Sequence, residues 1–191
     1  DFSYRIDWSR AFTQFKTKGV RDYYGYYSVG ANALLNELIR LPEMFNLVKI
    51  RGSYSEVGNS IPNKLYNEQP YDPATGRIQP ATYTGFDHPL PETVRSVEGG
   101  FDLAMFDNSL TMDLTVYSSV MFNQYLPITS SIGSIKPINT GKVRNQGVEA
   151  TVSYIFAPSH NFSWKTGVNF SYNDNKILRT YQNRKDIYIG I

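Results

Sequence analysis

Two neighbouring segments, residues 143–156 and 162–177, alternate apolar and polar side chains over about ten residues each, a period of two that suits strands and no helix. On the first, Val148, Ala150, Val152, Tyr154 and Phe156 share one face; Glu149, Thr151 and Ser153 share the other, with Ile155 the exception. On the second, Phe162, Trp164, Val168, Phe170 and Tyr172 oppose Ser163, Lys165, Gly167, Asn169, Ser171 and Asn173. Ala157-Pro158-Ser159-His160-Asn161 supplies the turn between them. A soluble antiparallel sheet packed on a core alternates in the same way. The strand lengths, and the density of charge and amide on the polar face, point instead to a wall with an apolar medium outside and water within.

The pattern recurs along the chain. Phe2, Tyr4, Ile6 and Trp8 share a parity against Ser3, Arg5 and Asp7, so the sequence begins inside a strand, from which we expect a longer polypeptide. Strands are predicted near 2–9, 23–33, 47–57, 94–106, 109–124, 143–156 and 162–177, each pairing antiparallel with its sequence neighbour. The segment 31–39 reads either as a helical turn, from its Leu34/Leu38 and Leu35/Ile39 spacing, or as a strand end running into a turn. The connections run long (11–22), short (38–46), long (58–91), short (107–108), long (127–140), short (157–161). Long loops on one rim and short turns on the other mark an outer-membrane barrel, whose strands need ~9–11 residues to cross the bilayer. The expected fold is therefore all-β: up-and-down antiparallel strands forming a segment of a large transmembrane β-barrel, with residues 1–191 a partial barrel domain.

Composition agrees. The 15 Tyr and 11 Phe favour strands and the water–lipid boundary. A net charge of +2 gives no ground for a nucleic-acid partner, and the absence of cysteine removes disulfides and thiolate metal sites. No apolar run approaches the ~20 residues of a membrane-spanning helix, so any crossing is by strands.

The stretch Asn139-Thr140-Gly141-Lys142-Val143-Arg144-Asn145-Gln146-Gly147-Val148-Glu149 resembles the "N-x-G-x-v-x-N-x-G-v-E" segment of SusC/RagA-type TonB-dependent outer-membrane transporters. Leu47-Val48-Lys49-Ile50-Arg51-Gly52-Ser53-Tyr54, followed by Gly58-Asn59, is similar to that family's "LKLRaSYG…GN" strand. Leu114-Thr115-Val116-Tyr117 is similar to its "dyY" strand. The chain departs from the pattern at Ser55, where the family more often carries glycine after the tyrosine. The resemblance spans roughly Tyr23 to Leu178 and implies a plugged barrel of ~22 strands, of which this chain would supply about seven. It further implies import of a glycan or oligopeptide across the bacterial outer membrane, a SusD-like surface lipoprotein and the TonB complex as partners, outer-membrane lipid around the wall, and no enzymatic chemistry or cofactor.

A different class of function competes: a soluble or surface-anchored antiparallel β module that binds glycan. Two sheets packed face to face would end the barrel reading and leave this one. A barrel enzyme ranks behind both. Glu98, Asp102, Asp113 and Glu149 lie on polar strand faces, where a close pair would serve acid–base catalysis. With Lys49, Arg51 and Lys165 on the same faces, a hydrated ion-pair lattice explains them better. His88 and His160 stand far apart, each in a loop or turn, without metal-ligand spacing. Gly99-Gly100 is followed by no helix pattern and makes no phosphate loop. The candidate ligand contacts are Tyr66, Tyr71 and Tyr83 in the long loop, whose ring faces suit sugars or apolar side chains, and Arg144 in the Asn/Gly segment.

Overall fold

Seven strands pair in the order in which the chain makes them. The computed structural model describes residues 1–13, 19–61, 71–72, 74, 76–78, 89–129, 135–159 and 161–181. The elements are β1 (Phe2–Trp8), α1 (Arg10–Thr13), β2 (Tyr23–Leu34), α2 (Leu35–Leu38), β3 (Phe45–Asn59), β4 (Tyr71–Asp72), β5 (Arg77–Ile78), β6 (Glu92–Met105), β7 (Leu110–Thr129), β8 (Ile135–Ser159) and β9 (Phe162–Arg179). One antiparallel sheet runs β1-β2-β3-β6-β7-β8-β9, and β4-β5 form a two-stranded ribbon within the long loop. Every neighbour in the large sheet is a sequence neighbour or is separated only by that ribbon, so the topology is up-and-down. Among the described residues no second sheet packs face to face against the first.

Register assigns the two faces. Ile50, Phe101, Leu114, Ala150 and Phe170 lie directly opposite one another across five strands, and the row Val48, Leu103, Met112, Val152 and Val168 lies beside them. On the other side of the same strands run Lys49, Asp102, Asp113, Thr151 and Asn169, then Arg51, Gly100, Thr115, Glu149 and Ser171. The apolar face is bare: Trp164 is 64% exposed, Val168 69% and Phe170 58%. This is the sidedness of a barrel wall, apolar band outward and polar face to the lumen.

Short rims are closed by local chemistry. Between β6 and β7, Phe106, Asp107 and Asn108 all adopt positive φ, and Ser109 N–H returns to the Phe106 carbonyl at 2.9 Å. Asp and Asn tolerate that region better than other non-glycine residues; Phe106 joins them without any sequence signal. Between β2 and β3, the segment 31–39 turns out to be strand followed by a single helical turn, α2. Asn36 pins it: its amide donates to the Phe45 carbonyl at 2.9 Å and accepts from Val48 N–H at 2.6 Å.

Two expectations for the opposite rim need correction. Residues 127–129 and 135–140, expected within a loop, are strand. β7 and β8 continue as a two-stranded arm, paired from Gln124↔Gly141 to Thr129↔Ile135, with residues 130–134 between the strands. Pro127 and Pro137 face each other there. Proline lacks the N–H that a central strand must donate, but an arm whose strands pair only with each other has free outer edges where the loss costs nothing. Likewise the 11–22 segment is not loop throughout, because α1 folds one helical turn into it. Ala11 and Phe12 are buried there with Val20, Ile61 and Tyr125, and the Phe12 ring meets Tyr24 at 5.2 Å.

Two measurements follow. In a barrel folded in lipid, Met112→Arg places a cation on the outer face and should lower stability by ~2–4 kcal/mol near the midplane, while Thr111→Arg on the lumenal face should be tolerated. Denaturant titration in vesicles reads both, and equal tolerance would refute the facing. Second, the sheet ends in unpaired edges on β1 and β9. Residues 1–191 expressed alone should therefore associate rather than sediment as a monodisperse, cooperatively melting monomer.

Candidate functional site: the lumenal face and the long-loop rim

The lumenal face is organised by Arg51. Asp102 and Asp113 stand directly opposite each other on β6 and β7, a like-charge pair that would repel if left alone. Arg51, one strand over on β3, bonds the Asp102 carboxylate through Nη1, and through Nη2 reaches Asp113 Oδ2 at 3.1 Å and Thr115 Oγ1 at 2.6 Å. Lys49 Nζ adds a contact to Asp102 Oδ2 at 3.3 Å. Gly100 is the residue opposite Arg51, and a Cβ at that position would collide with the guanidinium. So the lattice expected from sequence exists around Lys49, Arg51, Asp102 and Asp113, while Glu149 and Lys165 lie farther round the wall. Its two carboxylates, Asp102 and Asp113, are held by cations, which suits a wet lumen.

The Asn/Gly segment on β8 has a steric and a hydrogen-bonding explanation. Gly147 lies opposite Tyr117 on one side and Asn173 on the other. A side chain there would strike both the Tyr172 carbonyl and the Tyr117 ring. Asn173 then ties the group together, donating to Tyr117 Oη at 2.9 Å and to Asn145 Oδ1 at 2.7 Å. Gly141 gives room in the same manner to Gln124, which it opposes at a bulge. Asn139 makes a reciprocal pair with the Leu90 backbone, accepting from its N–H and donating to its carbonyl, each at 3.0 Å, and donates again to the Asn123 carbonyl at 2.8 Å. The exit of the long 60–91 connection is thereby clamped to the β7–β8 arm.

Close to the clamp lies a half-open cavity of about 440 Å³, lined among others by Asp7, Trp8, Phe12, Tyr24, Tyr26 and Asn59. Sequence reasoning missed it. Its only signal was the apolar pair Ala11-Phe12 within a polar, basic stretch, and the partners that bury the pair are distant in sequence.

Of the candidate ligand contacts, Tyr66 and Tyr83 lie outside the described residues, as do His88 and His160. Tyr71 is described through its backbone alone, in β4 opposite Ile78. Arg144 is placed by register in the row Glu56, Arg95, Val120, Arg144 and Lys176, which has the parity of the apolar outer face. A contact made by Arg144 is thus made outside the wall. Gly99 and Gly100 sit in mid-strand on β6. Among the described residues no cluster of His, Asp and Glu is arranged to hold a metal ion.

Replacing Gly147 with alanine forces the new Cβ against a backbone carbonyl that cannot swing away. We expect a loss of about 1–3 kcal/mol, read by unfolding in lipid, whereas Gly30→Ala, which meets only ordinary contacts, should cost less.

A family model for the TonB-dependent receptor-like β-barrel matches residues 1–190. Among curated proteins, the chain is 28% identical over 142 residues to TonB-dependent receptor P39 of Formosa agariphila, covering 70% of this chain and 14% of that protein. It is 24% identical over 166 residues to TonB-dependent receptor P26 of the same organism, covering 80% and 17%. It therefore spans less than a fifth of these relatives. Among solved structures it superposes on a chain of the RagAB peptide importer in its open-open state with a TM-score of 0.76 at 21% identity, covering 94% of this chain and 20% of that one. A second RagAB peptide transporter structure gives the same TM-score, 0.76, at 22% identity and 96% coverage of this chain, 21% of that one. With its sided seven-stranded wall, this chain belongs to the TonB-dependent receptor-like β-barrel family.

Proposed function

We propose that residues 1–191 form one stretch of barrel wall in a longer bacterial outer-membrane receptor that imports a nutrient oligomer, a glycan or an oligopeptide. The single observation that carries this reading is the sidedness of the sheet. One face is a continuous apolar band, and the other carries Lys49, Arg51, Asp102 and Asp113 bonded across three strands. Transport of this kind is gated access through a wet lumen, driven by a TonB complex in the inner membrane, and it needs no covalent chemistry.

The long-loop rim is the cargo side. Its long loop carries Tyr66, Tyr71 and Tyr83, and the neighbouring cavity presents Trp8, Tyr24 and Tyr26. Aromatic faces of this density suit either sugar rings or apolar peptide side chains. A SusD-like surface lipoprotein would close over the same rim.

The test is growth of a deletion strain complemented with the full-length receptor, on oligopeptides or on oligosaccharides as sole nutrient. Growth restored on one class and lost in a strain lacking TonB supports the reading and names the cargo. The triple variant Tyr66→Ala, Tyr71→Ala, Tyr83→Ala should reduce uptake by about ten-fold or more if each ring contributes on the order of 0.5–1.5 kcal/mol. TonB-independent uptake would overturn it.

A further inference from the structure

The outer face changes character along four strands, β3, β6, β8 and β9, within one row of the same height. Toward the long-loop rim, Tyr54 is succeeded by Glu56 on β3, Val97 by Arg95 on β6, Val148 by Gln146 and Arg144 on β8, and Tyr172 by Asp174 and Lys176 on β9. On β3 the step lies one row nearer the rim than on β9. Strands tilted against the membrane produce such an offset, because a level boundary then cuts the register diagonally. Tyrosines stand at the step, with Tyr27 and Tyr54 stacked at 5.4 Å, as expected of an interfacial girdle.

Just above the step lies a cationic seat. Arg95 Nε bonds Glu56 Oε2 at 3.2 Å, and its Cζ lies 5.1 Å from the centroid of the Phe122 ring. Lys142 Nζ approaches the same ring at 4.8 Å. Arg144 reaches Asp174 only at 4.0 Å, while Gln146 bonds that carboxylate at 3.3 Å. The Arg144 Nε–H is buried and has no hydrogen-bond partner among the described residues. Arg95, Lys142, Arg144 and Lys176 outnumber Glu56 and Asp174; Lys142 meets the Phe122 ring, and Arg95 meets both that ring and the Glu56 carboxylate. Arg95 and Arg144 are two strands apart, separated by Val120. At ~4.8 Å per strand the gap is about 10 Å, which two guanidinium groups can close on one phosphate.

We propose that this seat binds a phosphate-bearing lipid headgroup of the outer leaflet. The phosphate lies between Arg95 and Arg144 over Val120, and Lys142 and Lys176 flank it. The acyl chains run down the apolar band past Val116 and Phe170. A lipid is favoured over a free anion because the seat stands on the outer face of the wall, one row above that band across Ser118, where Val116 is 47% exposed and Tyr172 58%. The assignment rests on the outer-membrane setting proposed above.

The experiment uses the full-length receptor extracted from outer membranes, with co-purified phosphorylated lipid measured by native mass spectrometry. The wild type should retain it, and Arg95→Gln/Arg144→Gln should retain about ten-fold less or lower, the loss expected for one charge-assisted hydrogen bond. Lys165→Gln, on the lumenal face, should match the wild type. If the double variant does not assemble, Arg144→Gln alone and a salt titration of the wild type decide. Retention must fall as ionic strength rises through about 0.1 to 1 M. Undiminished retention in the variants overturns the proposal, as does displacement of the lipid by inorganic phosphate at equal concentration, which would make the site a phosphate site only. A receptor that fractionates outside the outer membrane overturns the functional reading itself, a result distinct from loss of lipid by a protein still in place.

Discussion

Inside a bilayer no water is available to a backbone amide, so each N–H and C=O must be bonded by the wall itself. That requirement explains why each strand pairs with its neighbour over most of its length. It also makes register unforgiving. A slip of one residue between β3 and β6 would turn Arg51 and Lys49 toward lipid and Ile50 toward water. The Arg51 cluster opposes such a slip, because its partners on β6 and β7 are reached only in the observed alignment.

Much of this architecture was legible in the sequence. Alternation at Leu110–Val116 and at Val148–Phe156 located strands, and the polar positions between them located the lumenal face. The three family-like stretches agreed with that layout. What escaped notice has a physical cause in each case. The arm at 124–129 and 135–141 was hidden by two prolines, which argue against a strand only where a ladder bond on both sides is required. The Phe106 backbone takes a left-handed conformation imposed by the hairpin, not by its own preference. The burial of Phe12 depends on Ile61 and Tyr125, and no local periodicity encodes contacts at such separations.

The candidate site was legible unevenly. Lys49, Arg51, Asp102 and Asp113 were visible as charges on polar faces, and their convergence followed from register. Arg144 was visible as a residue of a recognisable segment, but segment membership says nothing of side. Its parity with Val148 and Val152 was available from simple counting along β8, and that count places it outside. The two glycines of the segment proved to be spaces left for Tyr117 and Gln124, which only the pairing of β7 with β8 could reveal.

The irregularity at the foot of the arm bears on how chain length can vary there. From Met121↔Val143 to Gln124↔Gly141, β7 advances three residues against two; from Gln124↔Gly141 to Tyr125↔Asn139, β8 advances two against one. The two offsets cancel, and the arm resumes the register it had below. Asn123, at φ 57°, takes up the first. A deletion confined to one strand at this point would leave the other offset uncompensated and turn that strand's share of the arm over. Insertions and deletions within the arm's paired strands are therefore admissible as matched pairs, one in each strand.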